Sequence, residues 1–219
     1  MIVDQQIQMQ DGWGTHAGGN IGGVAPAIYG VLVSPPGNPT ARLFYTAGSS
    51  LPGGYADVEH YVLRPLLPNT GNLTLSFDLM VDGNAAKNAQ AEETDTILCV
   101  DGYNYNFSVQ INVALGGVLQ VANAGGSWVS IGSGPRTLAP HMWHRFVIAY
   151  NFDTVKHVGS VMSISIDGVN YAVPPIALRN VPAQLKNWAD GALFQVQQDL
   201  TAAAGEFAML IDNAQYMWS

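Results

Sequence analysis

The chain has 219 residues, of which 48% are hydrophobic and only 11% charged, a balance that supplies enough apolar surface for a core and excludes a disordered protein. Eight Lys plus Arg against 16 Asp plus Glu give a net charge of −8, which repels phosphate backbones and speaks against nucleic acid as a partner. No apolar run approaches the roughly 20 residues of a bilayer-crossing helix, so no membrane span is expected.

Met1–Gln10 (MIVDQQIQMQ) has neither a basic nor an apolar leader region, so a secretory signal is expected to be absent or already removed. Strand candidates follow at Ala27–Val33, Arg42–Thr46 and Glu59–Arg64, separated by a Gly-rich loop at Gly18–Gly23 and a Pro turn at Ser34–Gly37. Asn72–Asp82 alternates strictly: Leu73, Leu75, Phe77, Leu79 and Val81 share one face, and Thr74, Ser76 and Asp78 the other. Cys99, alone in the chain, sits in the apolar run TILCV and reads as a small buried hydrophobe. Tyr105–Val113 repeats the alternation, with Tyr105, Phe107, Val109, Ile111 and Val113 inward and Asn106, Ser108, Gln110 and Asn112 outward. Gly116-Gly117 and Gly125-Gly126 then turn the chain into Val118–Ala122 and Ser127–Ile131.

Further strands are expected at Trp143–Asn151, Val161–Asp167, Tyr171–Val173, Ala192–Gln197 and Glu206–Asp212, with room for one short helix within Asn180–Asp190. The 24 Gly and 12 Pro punctuate such a series of short strands throughout. Ten or more strands at hairpin spacing, with no helices to cover a parallel sheet, predict an all-β chain: a two-sheet antiparallel β-sandwich forming a single domain over residues 1–219.

Three local patterns resemble one fold class. Trp143–Tyr150 (WHRFVIAY) resembles a core strand of laminin G-like and concanavalin A-like jelly rolls, Ile164–Val169 (ISIDGV) the hairpin that follows it, and Glu206–Asn213 (EFAMLIDN) their closing strand. Gln10–Trp13 and Leu73–Val81 also resemble segments of carbohydrate-binding jelly rolls. The resemblance implies a concanavalin A-like jelly roll from a class rich in sugar recognition and glycan cleavage, with function on the concave sheet or its edge loops. It also implies an extracellular or periplasmic setting, as a module of a larger exported protein. Fold does not choose among these functions.

Catalysis needs identifiable acids or bases. Glu93-Thr-Asp95 resembles the start of the catalytic strand of family 16 glycoside hydrolases, but Ile97 and Leu98 stand where the second Glu belongs. The two-carboxylate mechanism therefore lacks a partner, and the pair is expected as a solvated acidic loop entering a strand. Jelly-roll polysaccharide lyases use Tyr and His; His60-Tyr61 and His144-Arg145 supply the residue types without the motifs of alginate lyases. His144 reads as scaffold, and His16, His141 and His157 carry no pairing signal. Absence of His-x-His or Cys ligand spacing speaks against a transition metal. The resemblance implies a structural calcium, for which Asp212 in the closing strand and Asp11 near the start are the candidate oxygen ligands.

Sugar binding asks for aromatic faces and for planar amide or guanidinium groups that fork onto paired hydroxyls. Asn106, Gln110 and Asn112 form one polar column, Gln195 and Gln197 another, and Arg145 points away from the core side of its strand. Convergence of these groups on one concave trough would suit a neutral polysaccharide or oligosaccharide, with Tyr103, Trp128, Trp13 and Trp188 as capping rings. Non-catalytic carbohydrate binding is the first expectation; a lyase or glycoside hydrolase using the same groove, and a structural, adhesion or virion protein, are the alternatives.

Overall fold

Two antiparallel sheets face each other in the computed structural model, which describes residues 2–20, 28–48, 55–64, 70–131, 137–177, 179–182, 189–200 and 205–219. The first sheet holds β1 (Ile2–Gln5), β3 (Ile28–Val33), β4 (Arg42–Gly48), β6 (Thr70–Val81), β11 (His144–Asp153), β12 (Val158–Ile166), β13 (Val169–Ala172) and β16 (Gly205–Trp218). Its order is β13-β12-β11-β6-β16-β4-β3, with β1 also on β16. The second sheet holds β2 (Gly14–Asn20), β5 (Tyr55–Arg64), β7 (Ala89–Val100), β8 (Tyr103–Asn112), β9 (Val118–Ala122), β10 (Trp128–Ser130), β14 (Arg179–Pro182) and β15 (Gly191–Leu200). It runs β10-β9-β8-β7-β15-β5-β2, with β14 also on β8. The predicted jelly-roll sandwich is the fold.

Alternation explains the core. Leu73, Leu75, Phe77, Leu79 and Val81 of β6 are buried against Tyr105, Phe107, Val109 and Ile111 of β8 and their neighbours. Each such side chain contributes about 1.5–3 kcal/mol through burial. Phe77 and Phe146, cross-strand partners, stack with centroids 5.0 Å apart. Thr96 of β7 ties the sheets together: its Oγ1 lies 3.3 Å from the Tyr150 hydroxyl and 3.1 Å from that of Tyr216.

The closing strand runs on to Trp218 rather than ending at Asp212. A β-bulge between Asp212 and Gln215, with Asn213 at φ 50°, reverses the inward parity from Phe207, Met209 and Ile211 to Ala214, Tyr216 and Trp218. That reversal breaks the period-two pattern on which the expected end rested. Of the segment with room for a short helix, Asn180–Pro182 belongs to β14 and residues 183–188 lie outside the described residues. A helical turn, α1 (Ala85–Asn88), forms where Asp82 Oδ1 accepts from Ala85 N at 2.6 Å.

Candidate functional site

On the face of the second sheet turned away from the core, strand register lines up side chains in rows. Gln120, Gln110, Glu93, Gln197, Glu59 and His16 face one another in sequence across β9, β8, β7, β15, β5 and β2. The next row carries Ser108, Asp95, Gln195 and Tyr61. The two amide columns thus reach one face, and each bonds to its own neighbours there. Gln110 Nε2 donates to Gln120 Oε1 at 2.7 Å and Asn112 Nδ2 to the same oxygen at 3.1 Å. Asn106 Oδ1 accepts from Ser108 Oγ at 2.8 Å, and Asn112 Oδ1 caps Leu115 N. Gln195 Nε2 donates to Asp95 Oδ2 at 2.6 Å.

This face is not the open trough expected. Gln110 is 2% and Gln195 3% exposed, and Ile97, Cys99 and Leu193 form a second apolar cluster on the same side. Gln120 Oε1 and the Asp95 carboxylate serve as acceptors for these amides, while Gln195 Oε1 has no partner among the described residues. Gln197 is half-buried. Glu93 and Asp95 lie mid-strand and buried rather than in a solvated loop. Burial pushes the Glu93 carboxyl well above its usual range, with the charges of Asp95 and Asp199 adding to the shift. Asp199 is raised to about 7 by burial, opposed by its bond from Gln197 and reinforced by Asp57, Asp95 and Glu59. On the core side of β7, burial and the Asp82 charge lift Glu92 to about 8, and both of its carboxyl oxygens lack partners among the described residues.

Arg145 is on the other sheet. It stands on the outer surface of β11, opposite Asp78 of β6, so it does not share the amide face. Sequence alternation places it outward correctly; which sheet β11 joins is settled only by tertiary pairing. Arg145 Nη1 lies 3.1 Å from Asp78 Oδ1 and 3.5 Å from the Asn213 carbonyl, while Nη2 donates to Ser76 Oγ at 2.9 Å. Asn213 Nδ2 donates to Asp78 Oδ2 at 2.7 Å, and Gln215 Nε2 to Ser76 Oγ at 3.1 Å. Arg145, Asn213 and Gln215, together with Gln5, Gln6 and Ala214, line an open polar depression of about 310 Å³. The guanidinium has five N–H groups. Among the described residues three are engaged, and the Nε–H and one Nη2–H are left on a side chain 39% exposed. Ser76 and Asp78 were legible as the polar face of their strand; Asn213 and Gln215 were hidden by the bulge.

The remaining candidates scatter. Trp128, half-buried on edge strand β10, pairs with Ala122 beside the amide face. Tyr103 lies at the start of β8 and packs on His157, with ring centroids 4.4 Å apart. Trp13 packs on Phe44 against the core, and Trp188 lies outside the described residues. His60 is buried, bonded through Nδ1 to Thr15 Oγ1, and lowered to about 4 by desolvation, so it stays neutral. His144 bonds to Asp167 Oδ2 at 2.7 Å and to the Ala139 carbonyl at 3.1 Å, the scaffold role its motif predicts.

The atoms around Asp212 do not fit calcium. Its Oδ1 accepts from Gln8 Nε2 and Asn213 N, and its Oδ2 from Thr40 Oγ1. Gln8 Oε1 accepts from Ala214 N, which fixes the amide with its NH₂ toward the carboxylate. Hydrogen-bond donors, not oxygen lone pairs, therefore converge there. Asp11 is exposed, and its charge acts on Arg42.

No protein-family model matches the chain, and no curated protein does. Solved structures are similar in fold. The CBM2 module of the evolved Dit protein of Lactobacillus casei phage J-1 is 10% identical, with 99% of this chain and 96% of that one covered and a TM-score of 0.48. A family 7 alginate lyase in complex with product is 13% identical, with 82% and 80% covered and a TM-score of 0.47. A carbohydrate esterase of the Shiga toxin-encoding bacteriophage phi24B is 15% identical, with 98% of both chains covered and a TM-score of 0.45. At these identities the similarity is one of fold.

Proposed function

We propose that the protein binds a neutral polysaccharide or oligosaccharide without cleaving it, and that the depression around Arg145 holds the sugar. The supporting observation is the fixed guanidinium: Asp78 and Ser76 hold it in one orientation, and two N–H groups are left beside the carboxamides of Asn213 and Gln215. Asp78 offsets the Arg145 charge, so the site suits hydroxyl pairs better than anions. Pre-set donors reduce the ordering cost of binding. The same reading places the protein where such polymers are met, outside the cell or in the periplasm. Retention on insoluble glycans, lost in Arg145→Met, tests it; no retention together with a mass that rises with concentration would favour an assembly role instead.

One observation favours an enzyme as the second reading. Gln197 Nε2 lies 3.4 Å from Glu93 Oε2 and 2.8 Å from Asp199 Oδ1, so a neighbouring strand supplies the second carboxyl that Ile97 and Leu98 do not. Both acids are held toward the protonated form, as a general acid requires. They are, however, only 8% and 4% exposed, and substrate would reach them only if this face opened. Reducing-end and unsaturated-uronate assays on a glycan panel separate this reading from binding alone.

A further inference from the structure

The turn between β11 and β12, residues Thr154–His157, holds a histidine in an unusual arrangement. His157 has φ 54°, a left-handed conformation uncommon outside glycine. Its Nδ1 meets the Tyr105 hydroxyl at 2.5 Å, and that hydroxyl also lies 3.1 Å from the Thr154 carbonyl. A hydroxyl has one hydrogen, and a carbonyl can only accept. Tyr105 therefore donates to Thr154, and His157 donates its Nδ1–H to Tyr105. In the neutral ring this leaves Nε2 as a lone-pair acceptor, exposed and without a partner among the described residues. Tyr105 is itself buried in the core, so the arm that orients the imidazole is rigid. Against the same imidazole lies Tyr103, 36% exposed, its ring at 43° and 4.4 Å.

An exposed aromatic face beside an oriented acceptor suits a ring that is apolar on its flat side and carries hydroxyl donors at its rim. We infer that Tyr103 and His157 form a second saccharide subsite, in which a pyranose stacks on Tyr103 and one hydroxyl donates to His157 Nε2. Its choice of ligand rests on the carbohydrate reading above, but its place does not. Arg145 stands near the start of β11 and this turn follows its end at Asp153, roughly 26 Å away at about 3.3 Å per residue. Two subsites that far apart give a long polymer an avidity that a short oligosaccharide cannot obtain.

Long-range ¹⁵N–¹H spectra of the imidazoles at pH 8.5, where histidine is neutral, test the arrangement directly. The wild type is expected to show His157 as the Nδ1–H tautomer. Tyr105→Phe, which keeps the core ring and removes only the hydroxyl, is expected to return it to a mixture dominated by Nε2–H. On titration with glucohexaose, mannohexaose and a hexuronate, the His157 Nε2 signal is expected to shift with the neutral sugar that binds. Tyr103→Ala is expected to weaken that response at least tenfold while leaving perturbations at Gln215 intact. An Nε2–H tautomer in the wild type, or a silent His157 while Gln215 responds, overturns the subsite alone. Silence at both places with every sugar overturns the subsite and the carbohydrate reading together.

Discussion

Arg145 and Asp78 face each other across β11 and β6, joined at 3.1 Å on the outer surface of the first sheet, with Asn213 of the β16 bulge bonded to the free side of the same carboxylate. The bulge brings Asn213 and Gln215 to this pair. Without the extra residue, Gln215 would point into the core, since a shift of one position exchanges the two faces of a strand. An irregularity in the closing strand thus builds this open polar depression.

Glu92 contributes to the pH dependence of stability, alongside Glu93 in the same direction and His60 in the opposite one. The folded pKa of Glu92 is raised to about 8 from 4.5, so between those values the folded protein holds a proton that the unfolded chain has released. Its favourable contribution is complete below about pH 4.5, declines as pH rises, and is exhausted above about 8, at roughly 1.4 kcal/mol per pH unit for one proton. Asp199, raised to about 7, acts in the same direction over a narrower range. Urea unfolding at pH 5 and pH 8 should show the lower stability at pH 8, and Glu92→Gln should flatten the slope. A protein more stable at pH 8 than at pH 5 would contradict this.

Chelation should leave the protein unchanged. The Asp212 carboxylate is held by Gln8, Thr40 and the Asn213 amide rather than offered to an ion. Melting curves with and without a calcium chelator should superimpose. Gln8→Ala, by contrast, removes a fully buried amide bonded to Asp212, the Thr40 carbonyl and Ala214 N, and should cost on the order of 3 kcal/mol.

Gly191 admits no side chain. A Cβ there would meet the Arg64 carbonyl oxygen of β5 and crowd Leu63, and backbone cannot yield as a flexible side chain can. Gly191→Ala should therefore destabilise by about 1–3 kcal/mol, read as a lower melting temperature. Gly102→Ala, where a Cβ would meet nothing but the backbone is at φ 81°, should cost less through strain alone.

Strands with one buried and one wet face were legible, as β6 and β11 show, because alternation reports burial directly. What escaped the sequence was burial on both faces. β7 and β15 bury Ile97, Cys99 and Leu193 as well as Leu98 and Phe194, so their outward amides and carboxyls read as solvent-facing when they are enclosed. The site was legible in its residue types and not in its address. Arg145 and the Gln columns all point outward, but from opposite layers of the sandwich, and sheet membership depends on contacts far apart in the chain.

Calorimetric titration of neutral oligosaccharides into the wild type, Arg145→Met and Gln110→Ala bears most directly on the central claim. Arg145→Met removes the two unengaged N–H groups of a charged donor and should weaken binding at least tenfold, with a stability change below about 1 kcal/mol because the ion pair is partly exposed. Gln110→Ala breaks a buried amide bond and should lower stability by about 1–3 kcal/mol while leaving affinity as it was. Unchanged affinity in Arg145→Met, with binding lost in a folded Gln110→Ala, would contradict the account and return the sugar to the opposite sheet.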